Sequence, residues 1–228
     1  MTDYFAGDIA ERYDESTAGM PVEPVVDFLL PFAGGGALEL AIGTGRIAVP
    51  LAERGVRVVG IDFSPDMVGQ LKKKTDEIPV TIGDMTSTRV EGTFSLVYIV
   101  FNSINNVTTQ DGQVDVFANA AAHLQPGGCF VVEVGVSNTR PLEVFDLSDT
   151  HVGVDEFDAE TQRLVSHHFS VVDGEWRRLS MPFRSVSHTE LDLMARLAGM
   201  ELRERWADWD RSPFTAESTK HVSVWQKT

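Results

Sequence analysis

Apolar residues first recur at roughly helical spacing at Tyr4, Phe5, Ile9 and Tyr13, within a polar stretch that ends at Gly19-Met20-Pro21. That spacing predicts a short helix followed by a loop. Residues 22–32 predict a second, more apolar helix, stopped by Pro31 and by Gly34, Gly35 and Gly36. A regular alternation then begins. Residues 37–42, broken only by Glu39, predict a buried strand, and residues 46–54 a helix closed by Gly55. Residues 56–62 predict a second strand. Ser64 is placed to cap the helix that follows, with Pro65 at its first position, where a missing N–H leaves nothing unpaired. Residues 78–83 and 94–101 predict a third and a fourth strand, and residues 110–124 a helix. After the turn Pro126-Gly127-Gly128, residues 129–134 predict a fifth strand. Near-continuous apolar strands alternating with amphipathic helices predict a parallel sheet covered on both faces.

From about residue 135 the rhythm changes. Residues 151–157, 163–172 and 175–186 predict three strands, the last two joined by a hairpin turn at Asp173-Gly174. Ser187-His188-Thr189-Glu190 has the spacing of a capping box and opens a helix that ends at Gly199. Residues 201–209 and 221–227 predict two closing strands joined by a loop containing Pro213. The expected organisation is one domain over residues 1–228, with an insertion at 136–187 that serves as a lid or as a surface for pairing two copies.

Composition narrows the classes. A chain of 228 residues, 43% hydrophobic and 23% charged, suits one large globular domain. No apolar run approaches the roughly 20 residues of a membrane helix, and Met1-Thr2-Asp3-Tyr4-Phe5 carries neither a basic region nor an apolar core, so neither a membrane span nor a signal peptide is expected. The single cysteine, Cys129, excludes an intrachain disulfide and points to a reducing cytoplasm. With 19 basic against 34 acidic residues the net charge is −15. Nucleic-acid affinity rests largely on Lys and Arg, so a polyanionic partner is disfavoured. The short run Lys72-Lys73-Lys74 reads as a solvated helix face.

The candidate chemistry starts at Gly43-Thr44-Gly45, where the first strand turns into a helix. Glycines there let the backbone turn sharply and approach a ligand, and in an open parallel sheet ligands bind at the carboxyl ends of the central strands. With Ala48 the loop also fits a loose dinucleotide fingerprint, and Asp62 lies where it can accept from a ribose. The residues alone therefore allow an NAD-type or an S-adenosylmethionine-type ligand. Glu39 tilts the choice, because it opposes a pyrophosphate and complements an ammonium group.

The segments ALELAIGTGRIAVPLA, VVGIDFSPDM, IGDM and LQPGGCFVVEV occur in this order. With these motifs the chain resembles the class I S-adenosylmethionine-dependent methyltransferases, in particular their small-molecule branch from microbial metabolism. The resemblance is strongest over residues 37–134 and weak before Pro21 and in the insertion. It implies an α/β fold: a Rossmann-like, mostly parallel seven-stranded sheet with a reversed C-terminal hairpin, plus an inserted small antiparallel sheet. It implies S-adenosylmethionine as cofactor, with Glu39, Ala41 and Gly43 at the methionine end, Gly45 among the cofactor-binding residues and Asp62 on the ribose hydroxyls. Phe63 and Met67 are expected near the adenosine, Asp84 and Met85 at the adenine, and Phe101 under the sulfonium. Tyr13 joins them if residues 1–20 form a lid, as in related enzymes. One departure is that Ala41 stands where the E-x-G-x-G-x-G pattern has its first glycine.

The expected activity is methyl transfer to an O or N atom of a small molecule. The alternatives are a non-catalytic S-adenosylmethionine-binding protein and an NAD-dependent oxidoreductase. A hydroxyl acceptor benefits from a base, and histidine is the natural one. His167 and His168 are adjacent on a predicted strand, so they point to opposite faces. One of them faces the pocket if that sheet is the lid, and both are catalytic candidates. His123, His188 and His221 read as structural. Asn102, Asn105 and Asn106 after the fourth strand either bind a polar acceptor or organise their loop. That segment lacks the acidic or Asn residue followed by two prolines that base- and glutamine-modifying relatives carry. No metal site is expected.

Overall fold

The computed structural model describes residues 2–136, 140–172 and 174–228. Seven strands form the main sheet: β1 (Ala37–Leu40), β2 (Val58–Asp62), β3 (Val80–Ile82), β4 (Phe94–Ile99), β5 (Leu124–Gly135), β10 (Met200–Trp206) and β11 (Lys220–Lys227). Their order is β3-β2-β1-β4-β5-β11-β10. Neighbours from β3 to β5 run parallel, whereas β11 is antiparallel to both β5 and β10. The expected sheet with its reversed closing hairpin is therefore present. The chain reverses its direction of growth across β1, which opens a crevice between the loops after β1 and β4.

Helices α2 (Glu23–Leu29), α3 (Ala48–Glu53) and α4 (Pro65–Lys74) connect the first part of the sheet, and α5 (Gln110–His123) and α6 (His188–Leu197) the second. Local chemistry sets their starts. The Ser64 hydroxyl accepts from Met67 N–H with Pro65 at the first helical position, and Thr109 accepts from Gly112 N–H. Ser187 and Glu190 form the reciprocal capping box expected from their spacing. One sheet face buries Phe28, Leu29, Ile47, Leu51 and Tyr98, and the other Phe117, Phe130, Leu191 and Trp225. Phe117 stands edge-on to Phe130 at 5.0 Å and to Trp225 at 5.3 Å. Burial of such side chains stabilises by about 1.5–3 kcal/mol each.

Several boundaries move for physical reasons. The third strand keeps only three residues, because Pro79 has no N–H to give the ladder and contributes only its carbonyl, to Gly60 N–H. Helix α3 starts at Ala48 because Gly45 and Arg46 still belong to the turn. The segment 22–32 ends in a 3-10 turn, Leu30–Phe32.

The insertion is a four-stranded antiparallel sheet, β6 (Leu142–Leu147), β7 (His151–Asp158), β8 (Arg163–Val172) and β9 (Glu175–Arg184), where three strands were expected. Strand β6 escapes the pattern because it is an edge strand with a bulge between Val144 and Asp146, so its apolar residues do not alternate. Of the expected Asp173-Gly174 turn, Asp173 lies outside the described residues. The sheet is rooted in the core by Arg184, which is buried and hydrogen-bonds Gln113 of α5, Gln162, and Glu190 of α6.

His221 on β11 is 1% exposed; its Nδ1 meets Ser223 Oγ at 2.8 Å and its Nε2 has no partner among the described residues. Burial, reinforced by the Arg205 guanidinium and His188, pushes its pKa down to about 3. The unfolded chain binds this proton near pH 6.5, so the native state loses stability as pH falls from 6.5 towards 3. Denaturant titration should show about 2 kcal/mol lost between pH 8 and pH 5 from this group. His221→Leu should remove that part of the slope.

Candidate functional site

At the carboxyl ends of β1, β2 and β4 lies a cavity of about 910 Å³. Its floor is the loop after β1. Ala41, Gly43 and Gly45 all take left-handed backbone angles there, with φ of 60°, 57° and 76°. Ala41 thus keeps the conformation that glycine would have served, at a steric cost of roughly 1–2 kcal/mol. The loop is pinned from β2. Asp62 Oδ2 accepts from Gly43 N–H at 2.6 Å, and Asp62 Oδ1 from Ser64 N–H at 2.8 Å. Burial raises the Asp62 carboxyl above its ordinary value, opposed by those two N–H groups. Each oxygen keeps a lone pair for a ribose hydroxyl.

Glu39 is 2% exposed, yet it borders the cavity. Tyr98 Oη donates to its Oε2 at 2.8 Å. Burial pushes its pKa up to about 8, against the opposing pull of Tyr98 and Arg46. A buried carboxyl held this way gains most from a cation brought next to it. The residues present therefore fit the ammonium end of S-adenosylmethionine.

The remaining expected residues gather here. Phe63, Met67, Asp84 and Met85 line the cavity, and Asp84 Oδ1 also accepts from Thr86 N–H at 2.8 Å. Phe101 faces the cavity with φ 54°, held by its N–H to Glu133 Oε2 at 2.9 Å, and the Arg46 guanidinium lies 5.6 Å from its ring centroid. Asn102, φ 61°, both lines the cavity and organises the loop, accepting from Gly135 N–H at 2.5 Å. Tyr13 lines the cavity from α1 (Asp8–Ser16), and burial raises its phenol. Asp14 ties α1 to the loop through Thr44 Oγ1, at 2.6 Å, and Lys74 Nζ, at 2.5 Å.

Two expected residues are elsewhere. Gly45 does not line the cavity: a Cβ there would fall 2.8 Å from Leu71 Cδ1, so this glycine serves close packing against α4. His167 points to the far face of the inserted sheet, with Nδ1 2.8 Å from Ser180 Oγ and Nε2 3.5 Å from Glu156 Oε2. Its neighbour His168 faces the cavity with Leu179, Met181 and Phe183 of β9. These β9 residues, and Arg46 and Arg12, which also border the cavity, carry no motif that singles them out in the sequence. The period-two spacing of Leu179, Met181 and Phe183 is the signal that would have found them.

A family model described as a methyltransferase domain matches residues 37–128. Among solved structures, that of the CcbJ methyltransferase from Streptomyces caelestis is 33% identical, with 100% of both chains covered and a TM-score of 0.89. Among curated relatives, the cypemycin N-terminal methyltransferase of a Streptomyces species is 27% identical, covering 86% of this chain and 85% of that one. A dTDP-3-amino-3,6-dideoxy-alpha-D-glucopyranose N,N-dimethyltransferase from Streptomyces fradiae is 29% identical over 74% of this chain and 66% of its own.

An ammonium placed against Glu39 should drive the carboxyl to ionise. Near pH 7, calorimetry of S-adenosylhomocysteine binding in buffers of different ionisation enthalpy should show release of close to one proton. Affinity should rise as pH approaches about 8, where the carboxyl ionises unaided. Glu39→Gln should abolish both effects; unchanged proton release in that variant would refute the assignment.

Proposed function

The chain belongs to the class I S-adenosylmethionine-dependent methyltransferases, and we propose that it methylates a nitrogen atom of a small amine. One observation carries this reading. The cofactor residues and the inner face of the inserted sheet border a single cavity, so donor and acceptor share one chamber. Its volume of about 910 Å³ lies in the upper part of the roughly 300–1,000 Å³ range of small-molecule sites. A non-catalytic binder needs no such second compartment. Choice of nitrogen follows the two curated relatives, one named an N-terminal methyltransferase of cypemycin and the other an N,N-dimethyltransferase of a dTDP-3-amino-3,6-dideoxyglucopyranose.

Bound S-adenosylmethionine supplies a methyl group already activated by a sulfonium. The protein's own residues bind, orient and exclude water. Glu39 receives the ammonium, Asp62 the ribose, and Asp84 with Met85 the adenine. Met67 and Phe63 pack on the adenosine, and Phe101 with Tyr13 bounds the sulfonium end. Residues 1–20 and the insertion act as the two covers of the chamber. His168 sits on the acceptor side as the base, and Leu179, Met181 and Phe183 hold the apolar part of the acceptor. Among the described residues no helix is long and apolar enough to cross a membrane. The buried thiol of Cys129 suits a cytoplasmic enzyme.

Incubation with methyl-labelled S-adenosylmethionine and paired acceptors, amino sugars and peptide α-amines against their hydroxyl analogues, should label nitrogen only. Labelling confined to the hydroxyl compounds would overturn the acceptor class. Cofactor binding without labelling across the panel would favour the non-catalytic alternative.

A further inference from the structure

Three side chains of the inserted sheet form a hydrogen-bonded line that ends at the cavity. Asp146 of β6 places Oδ2 2.5 Å from Nδ1 of His151 on β7. His151 Nε2 lies 3.2 Å from Nδ1 of His168 on β8. The strand register builds the line. Gly153 is paired with Asp146 on one side and with His168 on the other. Because it has no side chain, the Phe145 ring lies over it, where a Cβ would fall within 2.3 Å of that ring. Phe145 stands edge-on to His168 at 5.4 Å, and the rings of His151 and His168 meet at 5.4 Å.

Donor and acceptor inventory gives the line a direction. A carboxylate only accepts, so Asp146 fixes the proton of His151 on Nδ1. His151 Nε2 is then a lone pair, and it accepts the Nδ1–H of His168. His168 is left with a basic lone pair on Nε2, to which the Ser166 hydroxyl donates at 3.3 Å. Burial lowers the pKa of His168 and the neighbouring His151 lowers it further, against Asp155 and Asp146, so the ring is a neutral base at neutral pH. The titratable groups facing it are His151 and Asp155 from β7 and Asp146 from β6, with His167 beside it on β8. Its partner on β9, Leu179, is uncharged; Arg178 and Arg177, paired with Phe169 and Ser170 one and two residue pairs further along the register, also border the cavity. Asp155 Oδ1 is buried with no hydrogen-bond partner among the described residues, and Asp155 pairs with Ser166, two residue pairs from His168. That oxygen is placed to offset a transient positive charge. The far end of the line reaches solvent, with the Asp146 side chain 50% exposed.

Resting on the N-methylation reading above, we infer that the Asp146–His151–His168 line is the proton exit of the reaction, and that the acceptor is a primary or secondary amine. The acceptor nitrogen's lone pair forms the N–C bond as the C–S bond breaks, and the C–S electron pair stays on sulfur. The nitrogen then carries one proton too many. The Ser166 hydroxyl turns away from His168 Nε2, which takes that proton; the Nδ1 proton of His168 passes to His151 Nε2, and His151 gives up its own Nδ1 proton past Asp146 to water. His168 is the catalytic residue; His151 and Asp146 are positioning residues that fix its tautomer and receive its proton. A tertiary amine or a thioether would leave the line without work.

Histidine-selective nitrogen NMR of the full chain saturated with S-adenosylhomocysteine tests the line without turnover. The expected result is His168 protonated on Nδ1 and a strongly downfield Nδ1 proton on His151. Asp146→Asn should remove the downfield signal, and His151→Gln should shift the titration of His168. With an amine methylated in the panel above, His151→Gln and Asp146→Asn should lower kcat about 10–100-fold near neutral pH, and His168→Gln about 100-fold or more. KM for the cofactor should not change, and the loss should shrink as pH rises, where hydroxide and buffer base take the product ammonium's proton in place of His168. His168 protonated on Nε2, or a loss of kcat equal at every pH, would overturn the exit role while amine methylation stood. No methylation of any amine would overturn the acceptor class itself, and the exit role with it.

Discussion

The carboxylate of Asp62 joins the two loops on which the site is built. One oxygen holds Gly43 after β1 and the other holds Ser64 after β2. Ser64 in turn starts α4, which carries Met67 to the cavity wall and, about two turns further, Lys74 back to the carbonyl of Thr44. Lys74 and Thr44 together hold Asp14, and so the amino-terminal helix with Tyr13. A single buried anion therefore sets the spacing of floor, wall and cover. Three consecutive odd positions in left-handed geometry are affordable because the loop has so little freedom left. Ala41, which lacks the steric licence of glycine, is the sharpest sign of that constraint.

Charge is arranged in a complementary way. The chain is strongly acidic, yet the carboxyl at the bottom of the cavity, Glu39, is kept largely neutral at neutral pH by its burial. The anionic character is thus available on demand, when a cation arrives to stabilise it. On the opposite wall the logic is inverted: His168 is kept neutral by burial, with carboxylates behind it that favour the charged form. The two sides of the chamber are poised for opposite proton movements.

How much of this was legible in the sequence depended on the range of the interaction. Strands 37–42, 56–62 and 94–101 announce themselves by local apolar runs, and Ser64-Pro65 and Ser187-Glu190 by local capping chemistry. The motif residues from Glu39 to Phe101 converge as the family resemblance implied, since the order of loops along the sheet fixes who meets whom. Gly45 shows the limit of that carry-over, because a glycine in a binding loop can be there for the helix packed behind it. Alternation said that His167 and His168 face opposite ways but not which faces inward. His151 and Asp146 were invisible for a stronger reason: their meeting with His168 is set by the register of four strands and by a bulge in β6, neither of which leaves a local mark. Nor does a left-handed Phe101 or Asn102, whose geometry is imposed by Glu133 and Gly135 of the neighbouring strand.

The rooting of the inserted sheet through Arg184 separates two kinds of inheritance in one chain. The guanidinium, with Gln113, Gln162 and Glu190, closes a buried polar joint at the base of the sheet. Beyond that joint, side chains on β8 and β9 face the cavity without taking part in the packing that holds Asp62 and the glycine loop. Mutational drift in the inserted strands can therefore remodel which molecule is accepted while the cofactor half stays intact. The joint marks a natural seam at which such strands are exchangeable between relatives, and a rational boundary for building chimeras with altered acceptor range.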